Sequence, residues 1–240
     1  MNTQPNTVTD PNVLQVNALG YRWPGAAAEA VDLPRLALGA GESLFLRGPS
    51  GCGKSTLLSL LAGVLVADRG EVALLGQDWR GLSAARRDRW RADHVGYVFQ
   101  QFNLLPYLSV LDNVRLPCRF SRRRAAHSPA GEAERLLERL DLDAALWTRP
   151  AAQLSVGQQQ RVACARALIG QPALVIADEP TSALDEALRD RFMALLLGAC
   201  RAAGSALVLV SHDARLAVHF ERHLDLGHGP DVKPHTGSAA

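Results

Sequence analysis

Short apolar runs alternate along this chain with stretches in which apolar residues recur every three or four positions. Strand-like runs fall at residues 14–19, 43–47, 71–75, 94–99, 173–178 and 206–211. Helical spacing marks residues 56–66, 130–140, 155–169 and 187–203. Two of the runs, Ala-Leu-Val-Ile-Ala at 173–177 and Ala-Leu-Val-Leu-Val at 206–210, are apolar throughout, as a strand covered on both faces requires. The pattern predicts an α/β fold around a largely buried, mostly parallel sheet. Residues 102–148 break the rhythm with loops and helical segments and no convincing core strand, which predicts a helical insertion over about residues 102–154. The polar residues 1–12 and the Gly-, Pro- and Ser-containing residues 229–240 are expected to be disordered tails around a single domain at 13–228.

Composition narrows the classes. A net charge of +2 over 240 residues makes no case for nucleic acid as a partner. The longest apolar stretch, 57–66, is interrupted by Ser59 and is too short to cross a bilayer. Residues 1–11 have neither a basic start nor an apolar core, so the expectation is a cytosolic chain that reaches a membrane only through a partner. Cys52, Cys118, Cys164 and Cys200 form no C-x-x-C pair, which argues against a zinc ribbon or a disulfide framework and fits a reducing compartment. Arg122, Arg123 and Arg124 make a short basic turn. It is read as a solvated loop, with a phosphate or lipid patch as the alternative.

The chemistry concentrates at residues 48–56, Gly-Pro-Ser-Gly-Cys-Gly-Lys-Ser-Thr, which match the G-x-x-x-x-G-K-[ST] phosphate loop. Gly48, Gly51 and Gly53 let successive N–H groups turn toward one anion, and Pro49, Ser50 and Cys52 complete the curl. Cys52 sits beside a helix start, a setting that can make a thiol reactive, although the loop accepts any small residue there. Lys54 is placed to reach the β- and γ-phosphates, and the Ser55 hydroxyl to ligate Mg²⁺. A strand enters the loop and a helix beginning near Thr56 leaves it, adding the positive end of its dipole. These residues imply binding of ATP or GTP.

A second run supplies carboxylates. The strand at 173–178 ends in Asp178-Glu179, at the end of a parallel sheet where ligands sit. Asp178 is placed to hold Mg²⁺, and Glu179 to take a proton from an attacking water. Upstream, Leu154-Ser155-Val156-Gly157-Gln158 opens a helix with Ser155 as N-cap, which makes a second anion site. With one nucleotide already cradled by the phosphate loop, a second site suggests a head-to-tail dimer with ATP between the copies.

In order along the chain, these motifs resemble those of the ATP-binding-cassette (ABC) ATPases, and the resemblance covers about residues 13–229. Residues 48–56 correspond to the Walker A loop, Gln100 to the Q-loop glutamine and 154–158 to the signature. Residues 174–179 correspond to the Walker B strand, 182–185 to the D-loop and Ser211-His212-Asp213 to the switch histidine. The resemblance implies a P-loop NTPase fold with a RecA-like parallel core sheet, an N-terminal antiparallel β-subdomain and a helical insertion. It implies MgATP hydrolysis, with Lys54, Gln100, Glu179 and His212 as catalytic residues and Ser55, Gln100 and Asp178 around the metal. Ser155, Val156, Gly157, Gln158 and Asp185 would act on the opposite subunit's ATP, and Trp23, with Tyr21 as the alternative, would stack on adenine. Val156 departs from the family, which has glycine there. A β-branched residue does not follow a positive-φ geometry.

Residues 99–117 are similar to the branch that serves lipoprotein release and macrolide or peptide export, the LolD/MacB type. That implies a separately encoded membrane permease of the FtsX or MacB type, with Leu105 and Tyr107 expected at the docking surface. The alternative is a soluble ABC ATPase without a transport role. His219 and His223 stand four apart on an expected helix, with His228 and His235 beyond them; such a pair can bind a metal, but no Glu follows the first His in the protease pattern, so no metal is assigned to it.

Overall fold

A computed structural model describes residues 12–181 and 186–227. Asp185, His228 and His235 lie outside them, as do the two tails. The first elements are β1 (Asn12–Tyr21), β2 (Val31–Gly39), β3 (Ser43–Arg47), α1 (Lys54–Leu61), β4 (Arg69–Leu74), β5 (Gln77–Asp78), α2 (Ala84–His94) and β6 (Val95–Val98). They are followed by α3 (Val110–Phe120), α4 (Arg122–Ala126), α5 (Glu132–Arg139), α6 (Val156–Leu168), β7 (Leu174–Asp178), α7 (Glu186–Ala203), β8 (Ala206–Val210) and β9 (Arg222–Asp225).

One sheet runs β6-β7-β8-β3-β9 with every pairing parallel. The other, β2-β1-β4-β5, is antiparallel throughout. Side chains alternate across the parallel sheet, so each strand feeds two cores. Val175 and Ala177 of β7, with Leu207 and Leu209 of β8, pack under α3, α5, α6 and α7. Leu174 and Ile176, with Val208 and Val210, pack toward α1 and the antiparallel sheet. Each fully buried Leu, Ile or Val contributes about 1.5–3 kcal/mol, so a charge at Ile176 would disrupt the layer between α1 and the strand that carries the carboxylates.

The structure adds elements absent from the apolar pattern. β2 contains Pro34, which cannot donate to a ladder; it is tolerated because β2 lies at the sheet edge. α2 reads Ala-Ala-Arg-Arg-Asp-Arg-Trp-Arg-Ala-Asp-His and has no apolar stripe to betray it. α1 stops at Leu61 instead of reaching Val66, because Gly63 turns at φ 68 with the Trp79 ring where a Cβ would lie.

The helix expected to carry His219 and His223 is overturned. His219 ends a 3₁₀ turn at Ala214–His219 and His223 lies in β9, so the two do not share a helix face. His219 Nε2 is 3.5 Å from Asp190 Oδ1, and His223 Nε2 is 2.8 Å from the Phe220 carbonyl. Among the described residues no group of His, Cys, Asp and Glu could hold a metal by itself.

Candidate nucleotide site

The site lies at the C-terminal edge of the parallel sheet, where β3, β6, β7 and β8 release their loops. The β3–α1 loop can be made only of glycine at its tightest points. A Cβ on Gly53, at φ 95, would sit 2.1 Å from the Ala30 carbonyl oxygen. One on Gly48 would sit 2.2 Å from the Leu226 carbonyl oxygen. The loop is thus wedged between the β1–β2 connection and the end of β9, and its amides are fixed in place. Lys54 Nζ donates to the Gly48 carbonyl at 2.7 Å and the Pro49 carbonyl at 2.8 Å, so its charge lies across the loop. Ser55 and Thr56 open the exposed first turn of α1, and Thr56 Oγ1 accepts from the Trp23 indole N–H at 3.3 Å. Trp23 is 46 % exposed while Tyr21 is buried edge-on beneath it, with ring centroids 5.3 Å apart. Of the two aromatics, Trp23 presents a ring at the loop.

β7 delivers both carboxylates. Asp178 pairs in register with Val210, and Glu179 follows at φ 47, in the left-handed region that costs a non-glycine residue about 1–2 kcal/mol. Its N–H is held by the Val210 carbonyl at 2.9 Å. This turn separates the two side chains. Burial, and then the neighbouring charge of Glu179, push the Asp178 carboxyl upward, while Lys54 draws it back. Glu179 Oε2 receives Ser211 Oγ at 3.2 Å and lies 2.9 Å from His212 Nδ1. Since an ionised carboxylate only accepts, Nδ1 carries the proton and Nε2 is left for a further partner. The Glu179 side chain is 14 % exposed and that of His212 73 %, so the carboxylate is sheltered and the imidazole faces outward.

Gln100 is exposed two residues beyond β6, whose Val98 pairs with Ala177, so it shares the end of the sheet that carries Asp178. Ser55 hydroxyl, Gln100 amide oxygen and Asp178 carboxylate are hard oxygen donors of the kind Mg²⁺ takes. The under-compensated charge of Asp178 fits a cation there.

Ser155 caps α6 in a reciprocal box: Ser155 Oγ accepts from Gln158 N at 3.4 Å, and Gln158 Oε1 accepts from Ser155 N at 2.9 Å. Among the described residues no hydrogen bond joins this motif to the phosphate loop, so the chain carries two separate anion-ready loops. Val156 has negative φ, opens α6 and is 47 % exposed. Buried Gln160 donates to the Pro180 carbonyl, tying α6 to the turn just after Glu179.

Two supporting residues escaped the sequence reading. In the motif Ser211 is only the neighbour of His212, yet its hydroxyl accepts from Asp213 N at 3.1 Å while donating to Glu179. Asp213, held down at about 2 first by Arg215 and also by Arg189, binds Arg189 Nη1 at 2.6 Å and so fastens α7 to this loop. A polar residue on each side of a candidate catalytic histidine was the available signal.

A groove of about 560 Å³ lies between α1, α2, α3 and the segment after β6. Val64, Tyr97, Phe99, Pro117 and Phe120 line it. Leu105 and Tyr107 do not. The Asn113 side chain holds both backbone groups of Leu105, with contacts at 2.8 and 3.0 Å, and Tyr107 stands 73 % exposed outside the groove.

The family model described as ABC transporter matches residues 32–182. The ABC transporter ATP-binding protein YbbA of Escherichia coli K12 is 46 % identical over 189 residues, covering 79 % of this chain and 82 % of that protein. The lipoprotein-releasing system ATP-binding protein LolD of Anaeromyxobacter dehalogenans is 45 % identical over 207 residues, covering 85 % and 86 %. Among solved structures, the ATP-binding cassette MJ0796 in a dimeric post-hydrolysis state bound to ADP and Pi matches with a TM-score of 0.78 at 34 % identity, covering 89 % of this chain and 94 % of that one.

Proposed function

The chain belongs to the ABC transporter family as an ATP-binding ATPase subunit of the LolD-like branch, and from that premise we propose how its residues bind and hydrolyse MgATP. The adenine stacks on Trp23, and the phosphates lie in the amides of Gly48, Pro49, Ser50, Gly51, Cys52, Gly53, Lys54, Ser55 and Thr56. Lys54 reaches the β- and γ-phosphates. Ser55, Gln100 and Asp178 hold Mg²⁺, which when bound neutralises charge on the phosphates. Glu179 takes a proton from a water as that water attacks the γ-phosphorus and the bond to ADP breaks. Ser211 and His212 fix the carboxylate oxygen that they share. Ser155, Val156, Gly157 and Gln158, with Asp185, complete the site of the opposite subunit in a head-to-tail homodimer. Each dimer drives an integral membrane permease of the FtsX or MacB type from the inner face of the membrane, seated in the groove bounded by Val64, Phe99 and Phe120. Its position just past Gln100 supports that seat, because loss of the γ-phosphate can then move the helical insert and what rests on it.

The observation that carries this reading is the placing of Glu179, sheltered, contacted by Ser211 and His212 and set by a left-handed backbone turn just after Asp178. Glu179→Gln is expected to bind MgATP normally and to release phosphate about 10²–10⁴-fold more slowly. In the same variant ATP should convert monomer to dimer in sedimentation, and adding Ser155→Arg should prevent that conversion. Turnover close to the parent's, or a dimer indifferent to both ATP and Ser155→Arg, refutes it.

A further inference from the structure

Beside the groove lies a second, smaller depression of about 330 Å³, lined by Arg89 and Asp93 of α2, Phe120 of α3, and Arg122 and Arg123 of α4. Among the described residues, Arg89, Arg122 and Arg123 make no ion pair, whereas most arginines elsewhere on this chain have a carboxylate partner. The single acid of the depression, Asp93, is taken by the Ser121 hydroxyl. Arg123 Nη1 is shut away from solvent and has no hydrogen-bond partner, an expensive state for a cationic donor. Phe120, 75 % exposed, lies on the rim that this depression shares with the groove.

From these we infer that Arg89, Arg122 and Arg123 form a binding site for the phosphate of an anionic lipid headgroup. Three arginines from two helices line one depression, and a fork of N–H donors suits phosphate oxygens. Phe120 supplies the apolar anchor that interfacial contacts combine with basic residues. A neighbour feels these charges: burial holds His94 down near 4, and Arg123 lowers it further while Asp93 works against that. The choice of a lipid over a free phosphate rests on the proposed seating of the permease in the adjoining groove, which brings this rim to the bilayer surface.

The test needs no permease, so its failure is separable from failure of the ATPase reading. The full chain is sedimented with vesicles of phosphatidylcholine alone or with 30 mole percent (about one lipid in three) phosphatidylglycerol, at about 0.1 M salt. Binding is expected only to the anionic vesicles. Arg89, Arg122 and Arg123 replaced together by Gln should weaken it roughly fivefold per arginine, on the order of a hundredfold in all. Replacement of Arg35, Arg139 and Arg149 by Gln removes the same charge from exposed positions elsewhere and should change it little. Equal losses in the two triple variants would reduce the effect to net charge and overturn the site. Competition by millimolar inorganic phosphate as effective as by vesicles would overturn the lipid assignment in favour of a free anion. Absence of binding to the anionic vesicles would overturn the site outright. Circular dichroism and MgATP binding of both variants should match the parent, since none of these arginines touches the nucleotide site.

Discussion

The nucleotide edge of the parallel sheet and the helical insert beside it are built on opposite terms. At the edge, backbone does most of the positioning: Gly48 and Gly53 have no room for a Cβ, and Glu179 owes its direction to a left-handed turn held by Val210. In the insert, position is set by side chains laid on one another, as where Asn113 fastens Leu105 or Arg166 donates to the carbonyls of Phe102 and Asn103. A site fixed by backbone tolerates no substitution at the contact points and leaves a short, rigid motif. A surface fixed by packing can exchange residues freely and leaves none. The insert can therefore vary with its partner while the edge stays constant.

The largest test of that contrast is Gly53→Ala. Its Cβ would collide with the Ala30 carbonyl, and φ 95 is unfavourable for any L-residue, so a loss of at least about 2 kcal/mol is expected. Tm should fall by about 4–8 °C, and MgATP binding should weaken on the order of a hundredfold, by about 2.7 kcal/mol, measured by calorimetry. Gly51→Ala offers the control: φ is 81, but nothing lies within 4 Å of the added carbon, so only the conformational cost of about 1 kcal/mol remains. Equal behaviour of the two variants would break the argument that close approach, and not only φ, fixes the loop.

In the groove beside the insert the expected effect is smaller and falls on assembly. Val64 is 56 % exposed in the groove, and Tyr107, though more exposed, lies outside it. Val64→Asp should weaken co-purification with the permease by at least about 2 kcal/mol, roughly thirtyfold, by burying an unpaired charge. Tyr107→Asp should leave assembly intact, and both variants should keep their basal ATPase activity. The reverse outcome would move the docking surface to the loop at Leu105 and Tyr107.

The same contrast explains what the sequence made legible. The phosphate loop, the two carboxylates and the α6 cap are each a few adjacent residues whose geometry follows from one turn, so reading them needed no tertiary information, whereas Gln100 was legible only through the family resemblance. The buried strands β7 and β8 were legible because burial on both faces leaves nothing but apolar residues. β2 was hidden by Pro34, α2 by its all-round polarity, and β9 by the short polar run Arg-His-Leu-Asp, which only its place beside β3 turns into a strand. The helix expected across His219 and His223 failed for that reason: a spacing of four has meaning only on a helix. The roles of Ser211 and Asp213 depend on contacts with Glu179 and Arg189, 32 and 24 positions away in sequence order (211 − 179 and 213 − 189), and no local pattern carries those.

Val156 is the point where the two kinds of construction meet, since it belongs to a phosphate-site motif and yet opens the helix that supports the insert. Glycine at that position, as the related pattern has it, would matter if the backbone needed positive φ or if the side chain blocked an approaching phosphate. The first condition does not hold in this chain, because φ is negative and the residue is the first of α6; against the second, the side chain is half exposed and takes no part in the cap. The cap itself is made by Ser155 and Gln158, on either side of it. Val156→Gly therefore changes only local helix preference and should cost about 0.5 kcal/mol or less. Phosphate release should stay within about twofold of the parent, since 0.5 kcal/mol is about a factor of two in rate. A tenfold rise in turnover, or ATP-driven dimerisation at a much lower protein concentration, would mean that the valine side chain stands in the path of the opposite subunit's γ-phosphate. In that case the motif would be fixed by side-chain clearance, as the insert is, and not by backbone.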